Sequence, residues 1–504
     1  MKRIIAIGIG GSGAKCVESA VMLHSIGLFG NTSLGTILVD ADSSNGNGDR
    51  AARRIVLTSK AHKSFTDGSS PFMEGELTHF GSWNPLADVI HQSNLAAIFN
   101  HELMRTTQPG LAGLFEVLYT PKERQADLKV GFRGKPPIGA AVMSQLDVED
   151  LEDDDNIWSK VFQYIQTAVN DGGNSEPVIV HLFGSVFGGT GAAGVPTLGR
   201  LLHDEFHKLG IRSGIKINAT PLLPYFTFQK PKDSVSDVFA ESQSFGINTQ
   251  AALQFFTEQS QGIFDSIYLI GNQQRKQYQP ATGGPEQHNE SHFIELFAAL
   301  SASHGMTHQG NSVQVGTISR KTQDQLRWED IPNGHSGIPS VTHLKRAALF
   351  SYSWYHNFSL EIEAAEKVTP KKFVKGAPWF LKFFRLGNST SSSKPSVKDS
   401  DQQEASALLA QWSAEFLVWC GEVGRSGDNQ PELFRSENLP ADSKPENIES
   451  RDYKEILNDL LLDIPLTSAE KRRGIDWFKN KLYDIPSPPQ YGTEGLAHCL
   501  FNLF

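Results

Sequence analysis

Gly184-Ser-Val-Phe-Gly-Gly-Thr-Gly-Ala-Ala-Gly-Val-Pro196 stands between an apolar run, Pro177-Val-Ile-Val-His-Leu-Phe183, and a helix-compatible run, Thr197-Leu-Gly-Arg-Leu-Leu-His203. The order is strand, glycine loop, helix. Glycine leaves room for backbone to approach a ligand closely. The amides of a following helix N-terminus favour an anion, most often a phosphate. The stretch lacks the Gly-Lys-Ser/Thr ending of a P-loop, so a phosphate held here would be held without that lysine.

The chain opens on a second loop of this kind. Arg3-Ile-Ile-Ala-Ile7 reads as a buried strand. Gly8, Gly10 and Gly13 then satisfy G-x-G-x-x-G, and Ala14-Lys-Cys-Val-Glu-Ser-Ala-Val-Met-Leu23 suits a helix. A second strand, Leu34-Gly-Thr-Ile-Leu-Val39, ends in Asp40-Ala-Asp42, where a dinucleotide-binding domain carries its ribose-binding acid. An NAD- or FAD-linked oxidoreductase is therefore an open alternative on these residues. A third loop, Gly131-Phe-Arg-Gly-Lys-Pro-Pro-Ile-Gly139, lies between the other two, with Arg133 and Lys135 adding positive charge.

Phe187-Gly-Gly-Thr-Gly-Ala-Ala-Gly194 resembles the signature loop of the tubulin/FtsZ superfamily, GGGTGSG or GGGTGTG, with Phe187 in place of the first glycine. Gly134, Pro136 and Gly139 resemble its G-x-N-P-x-x-G loop. Phe264-Asp-Ser-Ile-Tyr-Leu-Ile-Gly-Asn272 is similar to the FtsZ run DTLIVIPN. A helix reading Asn289-Glu-Ser-His-Phe-Ile-Glu-Leu-Phe-Ala-Ala-Leu300 stands where the superfamily has its central helix. The pieces follow the superfamily order over roughly residues 1–360, most like the divergent prokaryotic tubulin-like proteins.

The resemblance implies an α/β, tubulin/FtsZ-like nucleotide-binding domain with a parallel sheet, a central helix, a smaller second domain and a helical C-terminal extension. The expected bounds are 1–285, with an insertion at about 45–130, then 286–305, 306–386, a linker at 387–400 and the extension at 401–504. It also implies a purine nucleotide, GTP or GDP, with magnesium. Gly10, Gly11, Ser12 and Gly13 would meet phosphate, and Asp42 would lie near phosphate or its magnesium. Gly134 and Gly139 would flank the terminal phosphate. Gly188, Gly189, Thr190 and Gly191 would hold the diphosphate, while Asn272 and Asn289 would contact sugar and base. Head-to-tail self-assembly into filaments follows if the site is completed by the next subunit. The family's acidic loop after the central helix has no counterpart in His304-Gly-Met-Thr-His-Gln-Gly310. Glu329 and Asp330 are the candidate catalytic acids, acting in trans. The alternative is a scaffold that binds nucleotide without turnover and docks a protein partner through its C-terminal helical region, within a multi-protein bacterial system.

A net charge of −10 argues against a general nucleic-acid binder. Cys16, Cys420 and Cys499 are too scattered for a disulfide framework or a zinc site. The first strand begins at once, with no secretory pattern before it, and no apolar run reaches the ~20 residues of a membrane span, so a cytoplasmic protein is expected. His288 and His292 would share a helix face, but no third zinc ligand accompanies them. Lys371, Lys372, Lys375, Lys382 and Arg385 interleave with Phe373, Trp379, Phe380, Phe383 and Phe384. That mix reads as aromatic core with basic heads in water, ahead of a lipid or nucleic-acid surface. Further helices are expected along Asn94 to Met104, from Ile157, along Val341 to Ile362, along Ala405 to Trp419 and along Tyr453 to Leu462, and the acidic run Asp147 to Asp155 reads as a solvated loop.

Overall fold

The computed structural model describes residues 1–65, 70–86, 94–129, 131–132, 134–144, 156–172, 176–229, 244–259, 262–279, 284–306, 314–317, 330–334, 337–367, 370–385, 393–426 and 474–504. β1 (Lys2–Ile9) passes directly into α1 (Gly10–Ser25), followed by β2 (Thr32–Val39), α2 (Gly46–His62) and β3 (Glu76–Trp83). Five short helices come next: α3 (Leu95–Ile98), α4 (His101–Thr107), α5 (Pro109–Leu118), α6 (Pro121–Gln125) and α7 (Pro136–Met143). α8 (Ile157–Gly172) leads to β4 (Val178–Ser185), α9 (Thr190–Lys208), β5 (Ile215–Leu222) and β6 (Phe226–Phe228). Then come α10 (Ser244–Gln259), β7 (Ser266–Leu269), β8 (Lys276–Tyr278), α11 (Phe293–Gly305) and β9 (Gln314–Thr317). α12 (Ser340–Ser353), a π-helical turn (Trp354–Phe358) and α13 (Ser359–Lys367) run on as one rod. α14 (Pro370–Gly376), α15 (Phe380–Phe383), α16 (Ser400–Gly424) and the helices Ile475–Asp484 and Gly492–Leu503 complete the described chain.

Seven strands form one sheet in the order β3-β2-β1-β4-β5-β7-β9, all pairs parallel, and β6 with β8 makes a separate two-stranded ribbon. Every residue of β2 and β4 is buried, as parallel strands covered on both faces must be. Alternation along β1 divides the apolar interior. Ile4 and Ala6 face a core that also holds α1, α11, α12 and α16, while Ile5, Ile7 and Ile9 face one with α8 and α9. The chain runs outward from β1 to β3 and then crosses back to β4. The strand order reverses between β1 and β4, where ligands sit in open α/β sheets.

The α/β fold and parallel sheet expected from the sequence are present, with four adjustments. Residues 45–130 are not an irregular insertion throughout, because α2 and β3 belong to the sheet framework. The inner face of α2 carries buried Asn47, Arg50 and Arg54 beside Ala51 and Ile55, which weakens its hydrophobic periodicity. The central helix starts at Phe293, not Asn289; the His292 ring accepts from Ile294 N at 3.2 Å and Glu295 accepts from His292 N at 2.7 Å, fixing that start. The helix expected over 94–104 breaks at Asn100, whose φ is +47°. The C-terminal helices pack into the main body: Trp412, Trp419, Leu500 and Phe501 share the core of α1. The basic–aromatic stretch joins that core too, with Trp379, Phe380, Phe383 and Phe384 fully buried. The acidic run at 147–155, residues 387–392 of the expected linker and the helix expected at 453–462 lie outside the described residues. Among the described residues no helix is long and apolar enough to cross a membrane.

Candidate functional site at the carboxyl edge of the sheet

Gly10 has φ +72°, a left-handed conformation that turns β1 into α1 within a single residue. A Cβ on Gly13 would lie 2.5 Å from the Phe183 carbonyl oxygen, so the first turn of α1 rests on β4. A Cβ on Gly191 would lie 2.5 Å from Ser185 N, so the first turn of α9 rests on β4 as well. The two helix starts consequently meet: a Cβ on Gly10 would stand 3.2 Å from Thr190 Cβ and 3.5 Å from Gly191 N. The first amides of each helix have no acceptor within it. Their partial positive charges add at one spot, which makes the pair an anion cradle.

The third glycine loop closes one side. A Cβ on Gly189 would lie 3.1 Å from Gly134 N, and one on Gly139 would lie 3.1 Å from the Gly189 carbonyl oxygen. Asn248 on α10 donates its amide to the carbonyls of Gly134 and Phe187, each at 3.3 Å, and so ties the two loops together. Sequence reasoning missed Asn248, which belongs to no glycine motif. Phe187 does not obstruct the cradle. Its ring is buried against Tyr225, Phe226 and Phe245. A Cβ on Gly188 would meet only the Ser185 hydroxyl, at 2.9 Å.

Of the two acids after β2, Asp42 is engaged in holding the protein together. Its Oδ1 accepts from Ser44 N and Oγ, and its Oδ2 accepts from Gly284 N at 2.6 Å. Asp40 is the acid that meets the cradle, accepting from Thr190 Oγ1 at 3.4 Å, Asp42 N at 3.2 Å and Asn45 Nδ2 at 3.1 Å. Loss of solvent pushes its carboxyl up to about 7, with repulsion from Asp42 adding to the rise and hydrogen bonds opposing it. Lys15, one turn into α1, supplies no charge to the site because it is buried against Glu295 at 2.5 Å. Ser12 is turned toward Tyr225, whose hydroxyl donates to Glu295 at 2.6 Å. Lys135 pairs with Glu123 at 3.5 Å, and Arg133 lies outside the described residues.

The segment 284–292 borders the cradle. Asn289 N donates to Asn47 Oδ1 at 2.8 Å, and the Asn289 carbonyl accepts from Arg50 at 2.5 Å. The Asn47 amide in turn lies 3.3 Å from where a Gly11 Cβ would be. Behind this segment sits a buried ion cluster. Arg54 reaches Glu18 at 2.7 Å, Glu415 at 2.8 Å and Glu422 at 3.1 Å, and Arg50 reaches Glu18 at 3.1 Å. Ser291 N donates to Glu422 and Phe293 N to Ser426 Oγ. The end of α16 is thus bonded to the chain next to Asn289.

Other candidates stand apart. The Asn272 amide donates to the Gln274 carbonyl at 2.5 Å, beyond the end of β7 and three strands from β1. Glu329 lies outside the described residues. Asp330 is half-buried and precedes Gly334, whose added Cβ would lie 2.5 Å from the Leu28 carbonyl oxygen. Leu28 follows the C-terminus of α1, so this segment belongs toward the sheet edge opposite the cradle. His292 serves as the cap of α11. Among the described residues no three histidine, cysteine or acidic side chains form a metal-binding group.

No protein-family model matches the chain, and no curated protein matches it. Similar solved structures include CetZ2 from Haloferax volcanii as a GTPgS-bound protofilament and CetZ1 from Haloferax volcanii as a GDP-bound monomer. Each is 12% identical over 62% of this chain, with a TM-score of 0.29. The matches span 64% and 62% of those chains respectively, less than two thirds of their length. So loose a superposition adds nothing to the strand order and loop geometry described above.

Proposed function

We propose that this chain is a tubulin/FtsZ-like purine-nucleotide-binding protein that takes GTP or GDP. One observation carries the reading: the N-termini of α1 and α9 meet at the β1/β4 reversal, with glycine at Gly10, Gly13 and Gly191, where the two helix starts approach each other and the main chain of β4. The amides of Gly10 to Gly13 and of Gly188 to Gly191 face the polyphosphate, and Gly134 and Gly139 flank its terminal group. Asn289 stands beside the base. Magnesium would arrive largely on the phosphate oxygens, with Asp40 as the acid beside it and Asp42 holding the loop. A dinucleotide would run on past the end of β4, but there the Gly134 and Gly189 loops close on one another. That contact favours a single nucleotide over NAD or FAD.

Asp330 stands too far from its own cradle to act there. Any role for it in hydrolysis therefore requires the cradle of another copy, arranged head to tail. The test is GTP hydrolysis per subunit against protein concentration, with magnesium, alongside titration with a fluorescent GTP analogue. A specific rate that rises with concentration and falls in Asp330→Ala, with binding retained, supports the reading. Tight binding with a flat background rate would replace it by a nucleotide-locked scaffold. Absence of binding would sink the nucleotide assignment altogether.

A further inference from the structure

α4 and α5 form a hairpin on the carboxyl-edge side of the molecule, anchored by buried Phe115 and by Tyr119, whose hydroxyl donates to the Pro137 carbonyl at 3.2 Å. The outward face of this hairpin is apolar. Leu103, Leu111, Leu114, Val117 and Leu118 are 54%, 47%, 53%, 83% and 59% exposed, and no other described region gathers as many large exposed apolar side chains. At about 100° per residue, Gly110 falls between Leu114 and Val117 on this face, with Gly113 at its margin. A Cβ on either glycine would meet nothing within 4 Å. Glycine inside a helix costs ~1 kcal/mol relative to alanine, and among the described residues no contact calls for it here. A bare backbone strip beside a leucine ridge suits the close approach of another helix.

The surrounding charges select the occupant. Residues 101–124 hold Glu102, Glu116 and Glu123 against Arg105, Lys122 and Arg124, so the formal charges cancel. Glu116 already faces His101, Arg105 and Arg124 at 3.2, 3.2 and 3.5 Å. An anionic membrane or nucleic acid would want a basic rim, whereas a balanced rim is complementary to itself. We infer that α5 is a self-association surface, packing against α5 of a second copy about a two-fold axis. Such a contact is isologous and closes on itself, unlike the head-to-tail contact proposed above, and it needs no nucleotide.

The hairpin is smaller than the ~20–30 residues per side of a standard interface, so a dissociation constant on the order of 10 µM is expected. Sedimentation of the nucleotide-free full chain across that range should show a monomer–dimer equilibrium. Leu114→Asp with Val117→Asp should leave monomers with unchanged melting, since both side chains are exposed. Gly113→Leu should weaken association by about tenfold by blocking the close approach. A monomeric wild type, or a dimer indifferent to these substitutions, overturns the proposal. So does binding to neutral or anionic vesicles without self-association. Gly191→Ala should dimerise normally, so failure of the nucleotide reading and failure of this one remain distinguishable.

Discussion

Gly191→Ala tests the anion cradle at its tightest point. The new Cβ would lie 2.5 Å from Ser185 N and 2.7 Å from the Ser185 oxygen, both main chain of β4, whereas ordinary contact begins at 3.4 Å. No side chain can turn aside, so the first turn of α9 must shift by about 1 Å. Alanine returns ~1 kcal/mol of helix propensity, and overpacking costs ~1–3 kcal/mol. The fold therefore loses at most ~2 kcal/mol and survives. Binding suffers more, because misplacing a positioning group by about 1 Å costs on the order of 100-fold. Titration with a fluorescent GTP analogue measures the loss, and thermal melting shows that the variant is folded. Gly188→Ala is the matched control. Its Cβ meets only a rotatable serine hydroxyl at 2.9 Å, so its affinity should stay close to wild type. A folded Gly191→Ala protein with wild-type affinity would refute the cradle.

Three further outcomes are expected. Asn248→Ala removes two hydrogen bonds between the loops, worth ~0.5–1.5 kcal/mol of stability each; melting should fall modestly and nucleotide affinity by about tenfold, and unchanged affinity would remove Asn248 as a positioning residue. The Asp40 carboxyl titrates at about 7 in the folded chain against ~3.9 unfolded. The native state therefore holds the extra proton between those values, and stability should fall by up to ~4 kcal/mol as pH rises through that window. Asp40→Asn should flatten both this slope and any weakening of phosphate binding with rising pH, as read by urea denaturation and nucleotide titration at several pH values. Burial alone would raise the Glu422 carboxyl, but Arg54 and Arg50 hold it at about 2. Its contribution is present above the unfolded value of ~4.3 and lost as pH falls toward 2. Glu422→Ala removes one of three carboxylates around Arg54 and the acceptor of Ser291 N; with Glu18 and Glu415 still in place it should cost ~1–3 kcal/mol at neutral pH, and an unaltered urea midpoint would count against that role.

The buried cluster also links the C-terminal part of the chain to the site. Glu422, Arg425 and Ser426 lie at or just beyond the end of α16, and they bond to Ser291, Glu290 and Phe293, next to Asn289. Displacing α16 would move the segment that borders the cradle.

The amino-acid sequence by itself determined the strand–glycine–helix units at Gly8 to Gly13 and Gly184 to Gly194, and with them the parallel α/β class. Those signals are local: an apolar run, glycine where backbone must turn or approach, then a helical run. Tertiary structure alone decided which acid meets the cradle. Asp40 and Asp42 are equivalent by position after β2, and distant partners separate them: Thr190, 150 residues away, for Asp40 and Gly284 for Asp42. It likewise decided that Arg50 and Arg54 face inward, because their partner Glu422 arrives from the far end of the chain. It sent Phe187 into the aromatic core, made Asn248 a clasp between two loops, and set Asp330 toward the opposite edge. None of these has a sequence period or motif, because each depends on what the fold brings alongside it.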